Sequence, residues 1–249
     1  MYVDVVDLRE FYASPLGRVA SRSMTVALSS IWSGMPGERF VGLGYCVPWL
    51  DRFRSDTERT LALMPASQGA VEWPVGEASA TAIVHDDQLP LPDSCVDRLL
   101  MVHLLEHAES PAETLKEAWR VLAPGGRLLI AVPNRRGLWA RFEHTPFGFG
   151  RPYSRSQLSL LLREALLTPV AWSDALHFPP TRRRSVLRFY ASLDRFGRGI
   201  WPIFPGVILV EATKRLYQGL PATARAGRRS IIPVLVPQGS SRTSRRTID

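Results

Sequence analysis

The stretch that decides the fold is Leu89–Asn134, "LPLPDSCVDRLLMVHLLEHAESPAETLKEAWRVLAPGGRLLIAVPN". Leu89-Pro90-Leu91-Pro92-Asp93 reads as an extended loop, because each proline fixes its own φ and restrains the residue before it. Asp97–His103 (DRLLMVH) then reads as a strand. Pro111–Leu122 carries Leu115, Ala118, Trp119 and Leu122 at helical spacing. Proline suits the first turn of that helix, and Gly125-Gly126 suits its stop. Arg127–Val132 (RLLIAV) is apolar almost throughout, as expected of a strand covered on both faces.

Working outward, the same alternation continues. Arg39–Gly44, Thr60–Met64 and Ala80–His85 are three earlier strand candidates, and Val170–Ala175 and Gly206–Thr213 are two later ones. Ser154–Leu166 is an amphipathic helix with Ser154 as its cap. Residues 8–33 are helical in pattern and are divided at Ser14-Pro15, since the residue before proline avoids the helical region. Strands alternating with helices predict an α/β protein with a parallel, doubly wound sheet. Arg182–Ile200 reads as a basic amphipathic helix with Leu187, Tyr190, Leu193 and Phe196 on one face. From Pro221 onward Arg, Ser, Thr, Pro and Gly prevail, a composition that does not build a core. Three segments follow: a helical segment 1–38 covering the pocket, a domain 39–220 with the basic insertion 182–200, and a tail 221–249.

The chain has 249 residues, 45% of them apolar, and a net charge of +8. That suffices for one α/β domain with additions. The charge is uneven: residues 180–249 hold 13 Arg and 1 Lys against Asp194, Glu211 and Asp249. The rest is slightly acidic, so any acidic or nucleic-acid partner is expected at the basic C-terminal third. No apolar run is long enough to predict a membrane span. The N-terminus lacks the basic-then-apolar layout of a secretion signal, and Cys46 and Cys95 are too few for a disulfide framework. Together these predict a cytoplasmic protein.

Leu89–Asn134 resembles the class I S-adenosylmethionine-dependent methyltransferases of the type 11-like group, with their "LPFPD…FD…LEH…RVLKPGG" signature. The resemblance implies a Rossmann-like, seven-stranded, mostly parallel sheet with helices on both faces and an antiparallel last strand, here Gly206–Thr213. It implies S-adenosylmethionine as cofactor. It also places the cofactor turn at Val41–Trp49 (VGLGYCVPW), where Gly42 stands in place of the family's acid and Gly44 matches the first glycine. Cys46 and Pro48 replace the second and third glycines, and Pro48 removes an amide donor from the turn.

The site residues implied are Gly42, Gly44 and Tyr45 at that turn, Met64 at the end of the second strand, and Asp86 or Asp87 toward adenine. Ser67 and Gln68 stand where the family keeps a ribose-binding carboxylate. His103 lines the pocket near the sulfonium and is the candidate catalytic base, since imidazole titrates near neutrality. His107 has a structural reading as the end of "LEH". Asn134, Phe147, Arg151 and Tyr153 are the substrate-side candidates, within a glycine-containing loop above the sheet edge. His103 and His107 have no third ligand at metal spacing, so no metal is predicted. The function implied is methyl transfer to a small molecule. The alternatives are a methyltransferase-like binding or regulatory protein without catalysis, and an RNA-directed methyltransferase.

Overall fold

The computed structural model describes residues 4–181, 183 and 205–215. The basic helix expected at 182–200 and the tail 221–249 lie outside the described residues, apart from Arg183. Seven strands form one sheet: β1 (Arg39–Gly44), β2 (Arg59–Pro65), β3 (Thr81–Val84), β4 (Val96–Val102), β5 (Leu122–Pro133), β6 (Leu167–Ala175) and β7 (Val207–Lys214). Their order across the sheet is β3-β2-β1-β4-β5-β7-β6. β1 to β5 pair in parallel, and β7 runs antiparallel between β5 and β6. The expected Rossmann-like sheet with an antiparallel last strand is therefore observed.

Two apolar layers cover the sheet. On one face lie α1 (Val5–Ala13), α2 (Pro15–Ile31) and α3 (Val47–Arg54), packed with Phe40, Leu100, Leu129 and Leu209. On the other lie α4 (Pro111–Val121) and α5 (Arg155–Glu164), packed with Leu99, Met101, Leu128 and Ile130. The alternation of neighbours such as Leu99 and Leu100 between layers follows from the two-residue period of a strand.

Local chemistry sets the helix ends. Ser14 closes α1 by donating its N–H to the carbonyls of Glu10 and Phe11, and its hydroxyl accepts from Gly17 N at 3.0 Å to open α2. Pro15 sits at the start of α2, where its missing N–H costs no helical bond. Ser154 and Gln157 form a reciprocal capping box at α5.

Three elements differ from the sequence expectation. β5 begins at Leu122 because that residue already pairs with Val96 before the turn at Gly125. β6 begins at Leu167, with an irregularity between Pro169 and Ala171 that the proline explains. The third is α3, which immediately follows the glycine turn. Pro48 falls in its first turn, where a helix has spare N–H groups anyway, so this proline starts a helix instead of merely stiffening a loop.

Candidate functional site

A cavity of about 410 Å³ opens at the carboxyl ends of β2, β3 and β4, the edge on which open α/β sheets receive ligands. Ser67 and Gln68 form the wall after β2, His85, Asp86 and Asp87 the wall after β3, and Leu104, His107 and Ser110 the wall after β4. Thr114 from the first turn of α4 completes it and donates its hydroxyl to Asp86 Oδ2 at 2.8 Å. That bond fixes one carboxylate oxygen of Asp86, while Asp87 and Ser67 remain exposed. Burial pushes the His107 imidazole below its usual pKa, which keeps it neutral. Its buried Nε2 has no hydrogen-bond partner among the described residues.

The loop Leu89–Asp93 next to this cavity is clamped by α4. Glu117 accepts from Leu89 N at 2.6 Å, and Arg120 donates to the carbonyls of Leu89 and Leu91 at 3.1 and 2.9 Å. Arg120 also meets Asp93 Oδ1 at 2.5 Å and Glu117 Oε1 at 2.6 Å. The guanidinium holds the Glu117 carboxyl below its ordinary range. The most recognisable part of the sequence is thus a loop-to-helix clamp, which supports the site without forming its chemistry.

Beyond Gln68 the same sheet edge is closed. Gly44 has φ +89°, and a Cβ there would lie 2.4 Å from the Val102 carbonyl oxygen. Glycine is required at this position by β4 itself. Tyr45 donates its N–H to Val102 O at 2.9 Å, and its ring stacks on Tyr12 of α1, with centroids 5.7 Å apart and planes 13° apart. Burial raises the Tyr45 phenol above its usual pKa, and it raises the Tyr12 phenol further, with Tyr45 and Glu106 adding to the effect. Gly42 faces α3: a Cβ would meet Cys46 Cβ at 2.7 Å and Leu50 Cδ2 at 2.8 Å. Cys46 itself is buried, with its thiol directed to the carbonyls of Leu43 and Leu100.

His103 is fully buried and adopts φ +54°. Its Nε2 lies 2.7 Å from the Tyr12 hydroxyl, and its Nδ1 lies 3.3 Å from Glu106 Oε1. The second contact is an ion-pair distance without hydrogen-bond geometry. Assigning the proton to Nδ1, which faces the carboxylate, makes Nε2 the acceptor of the Tyr12 O–H. The His103 carbonyl accepts from the Gln68 side-chain amide. Phe147 packs on the other side of the ring at 4.8 Å between centroids. Glu106 is buried, and neither of its carboxylate oxygens accepts a hydrogen bond among the described residues.

The substrate-side candidates cluster as a strap over the loop after β4. Arg151 N donates to Glu106 O at 2.8 Å, and the Tyr153 hydroxyl donates to Leu105 O at 3.1 Å. Burial, with Glu106 nearby, pushes the Tyr153 phenol up to about 12. Asn134 lies at the end of β5, accepting from Arg136 N at 3.1 Å and donating to Pro205 O at 2.8 Å. Its placement is that of a loop staple. Met64 is buried in the core, with its sulfur accepting from Val71 N at 3.4 Å.

The structure therefore brings Asp86 and Asp87 to the cavity with Ser67 and Gln68, and gathers Tyr45, His103 and Phe147 into a separate aromatic cluster. Gly42, Met64 and Asn134 are not among the residues that line the cavity. Sequence reasoning missed Tyr12, Glu106 and Thr114, and gave His107 a structural role although it lines the cavity. Spacing carried a signal for two of them. Glu106 and His107 lie in the loop that follows β4, on the edge where ligands bind. Among the described residues no group of three or more His, Cys, Asp or Glu is placed to hold a metal ion. No described helix is long and apolar enough to cross a membrane.

Comparison with known proteins agrees with this geometry. The sequence profile of the family described as "Methyltransferase domain" matches residues 39–130. A probable S-adenosylmethionine-dependent methyltransferase of Mycobacterium tuberculosis is 32% identical over 97 residues, covering 38% of this chain and 35% of that protein. The matches to curated relatives span between 19% and 35% of those proteins' own lengths. Among solved structures, an S-adenosylmethionine-dependent methyltransferase of Thermotoga maritima, described as a possible histamine N-methyltransferase, superposes with a TM-score of 0.57. It is 19% identical, over 85% of this chain and 96% of that one. The 1,6-didemethyltoxoflavin-N1-methyltransferase of Burkholderia thailandensis, solved with its substrate and S-adenosylhomocysteine, gives 0.52 at 17% identity over 79% and 78% of the two chains. The strand order and the antiparallel β7 are those of the Rossmann-like methyltransferase structures, and residues 39–130 are similar in sequence to the "Methyltransferase domain" family.

Proposed function

We propose that this chain binds S-adenosylmethionine through the cavity after β2, β3 and β4 and transfers its methyl group to a small molecule. The observation that carries the reading is the cavity wall itself. Asp86, Asp87, Ser67 and His107 supply its polar groups, beside the apolar residues Val84, Leu104 and Ala108. That combination of apolar residues and a few polar groups suits a nucleoside.

The nucleoside half of the cofactor fits these residues. The methionine half, which the family resemblance puts at the Gly44 turn, meets a closed arrangement there, because Tyr45 of that turn is buried and stacked on Tyr12. When bound, the cofactor supplies an electrophilic methyl group. The protein's part is alignment and proton handling. Asp86, oriented by Thr114, and Asp87 would hold the base. His103, backed by Glu106, is the proton acceptor nearest the closed half. The strap from Phe147 to Tyr153 excludes water from that side.

Equilibrium dialysis with methyl-labelled S-adenosylmethionine tests this reading, with Ser67→Trp as control. Ser67 is an exposed wall residue, so tryptophan fills the cavity without disturbing the core. Saturable binding by the wild type and its loss in Ser67→Trp supports the reading. Binding unaffected by Ser67→Trp, or no binding at millimolar cofactor, refutes it.

A further inference from the structure

The two halves of the expected cofactor site are in different states, and Gln68 divides them. Its side chain lines the open cavity and donates to the His103 carbonyl, while its own carbonyl accepts from Val5 N at 2.8 Å. The first turn of α1 is thereby tied to the partition. Seven residues past Val5, Tyr12 turns inward. Its ring lies between Tyr45 and the edge of Trp49, whose centroid is 5.4 Å away, and its hydroxyl reaches His103. Behind His103 the Glu106 carboxylate is sealed from solvent. Ser14 both ends α1 and opens α2, so the chain between the two helices turns at that one residue.

We propose that Tyr12 is the specificity-determining residue of this site: its phenol, latched to His103, stands where the cofactor's methionine tail must pass. The open cavity then accepts adenine nucleosides without that tail directly. Admission of the tail requires α1 to move about Ser14 and the Tyr12–His103 bond to break. The proposal rests on the nucleoside reading of the cavity given above. It assigns roles that the sequence pattern does not, since Tyr12 lies in α1, outside the residues matched by the family profile.

A ligand that binds only one of two conformations has its apparent affinity reduced by the fraction of protein in that conformation. Nucleosides bind the latched and unlatched forms alike, and so escape this reduction. Ligands carrying the tail do not. Weakening the latch therefore raises affinity for tail-bearing ligands alone.

Calorimetric titration of three proteins with three ligands tests this. The proteins are wild type, Tyr12→Phe, which keeps the ring and removes the hydroxyl, and Tyr12→Ala. The ligands are adenosine, 5′-methylthioadenosine and S-adenosylhomocysteine. The wild type is expected to bind 5′-methylthioadenosine at least as tightly as S-adenosylhomocysteine. Tyr12→Phe gains about fivefold for S-adenosylhomocysteine, the equivalent of one hydrogen bond. Tyr12→Ala gains more, and both variants keep nucleoside affinity within about twofold of wild type, as unchanged population factors require. S-adenosylhomocysteine affinity that is unchanged in both variants, while nucleosides still bind, overturns the latch alone. Absence of binding by all three ligands to all three proteins overturns the cofactor reading and the latch with it. Should Tyr12→Ala not fold, Tyr12→Phe against wild type decides by the same ratio.

Discussion

The Tyr12 hydroxyl lies 2.7 Å from His103 Nε2, joining the first helix to the loop after β4 across 91 residues of sequence. Both side chains are buried, so the bond is made out of water, where an unmet partner is costly. In the conformation seen both ring nitrogens of His103 face protein groups, Nε2 the Tyr12 hydroxyl and Nδ1 the Glu106 carboxylate. The proposed role of His103 as a base requires the Tyr12 contact to open.

Gly44 matters first for the fold. A side chain there meets the Val102 carbonyl at 2.4 Å, and its φ of +89° is one that L-residues rarely adopt. Gly44→Ala is expected to cost roughly 2–4 kcal/mol, from backbone strain and a clash against a central strand. Urea denaturation checks this. Loss of ligand binding in such a variant reports the loss of β1 and β4 geometry as much as any loss of contact.

Arg120 is expected to be a larger stabiliser than its partial exposure suggests. It holds two carbonyls of Leu89–Leu91 and two carboxylates at once. Arg120→Ala leaves those carbonyls without their donor and is expected to cost about 1–3 kcal/mol. Hydrogen exchange should localise the loosening to residues 89–95, whereas Arg163→Ala, on the outer face of α5, leaves exchange there unchanged.

Asp97 provides an acid-side signature. Its carboxylate accepts from Arg39 N at 2.9 Å and from the Arg39 guanidinium at 2.8 and 3.0 Å, which holds its pKa below the usual value. A depressed carboxyl pKa contributes stability above the unfolded-state value of about 4, and that contribution is lost as pH falls through the folded-state value. Asp97→Asn is therefore expected to be less stable than wild type at pH 7, by about 1 kcal/mol after allowance for solvent screening. The gap should close below about pH 4. Denaturation midpoints at pH 7, 5 and 3 check the sign; a gap that widens on acidification contradicts it.

The sheet was legible in the sequence because its evidence is local. Apolar strands of the right length, Pro111 at the start of α4 and the Gly125-Gly126 turn within β5 each announce themselves within a few residues. α3 was not legible, because Pro48 after a glycine turn reads equally as a rigid loop and as a first helical turn. The cavity walls at Asp86, Asp87, Ser67 and Gln68 followed from strand ends. Tyr12 and Glu106 did not, for they become partners only when α1 folds over β4. No periodicity in residues 8–33 distinguishes a tyrosine that packs the core from one that closes a site.

If the cavity after β2, β3 and β4 holds the nucleoside of S-adenosylmethionine, a crystal structure with S-adenosylhomocysteine will show it there. Adenine is expected against Asp86 or Asp87 with the ribose at Ser67 and Gln68, and Tyr12 withdrawn from His103. Ligand bound elsewhere on the protein, or a cavity empty at millimolar S-adenosylhomocysteine, would contradict it.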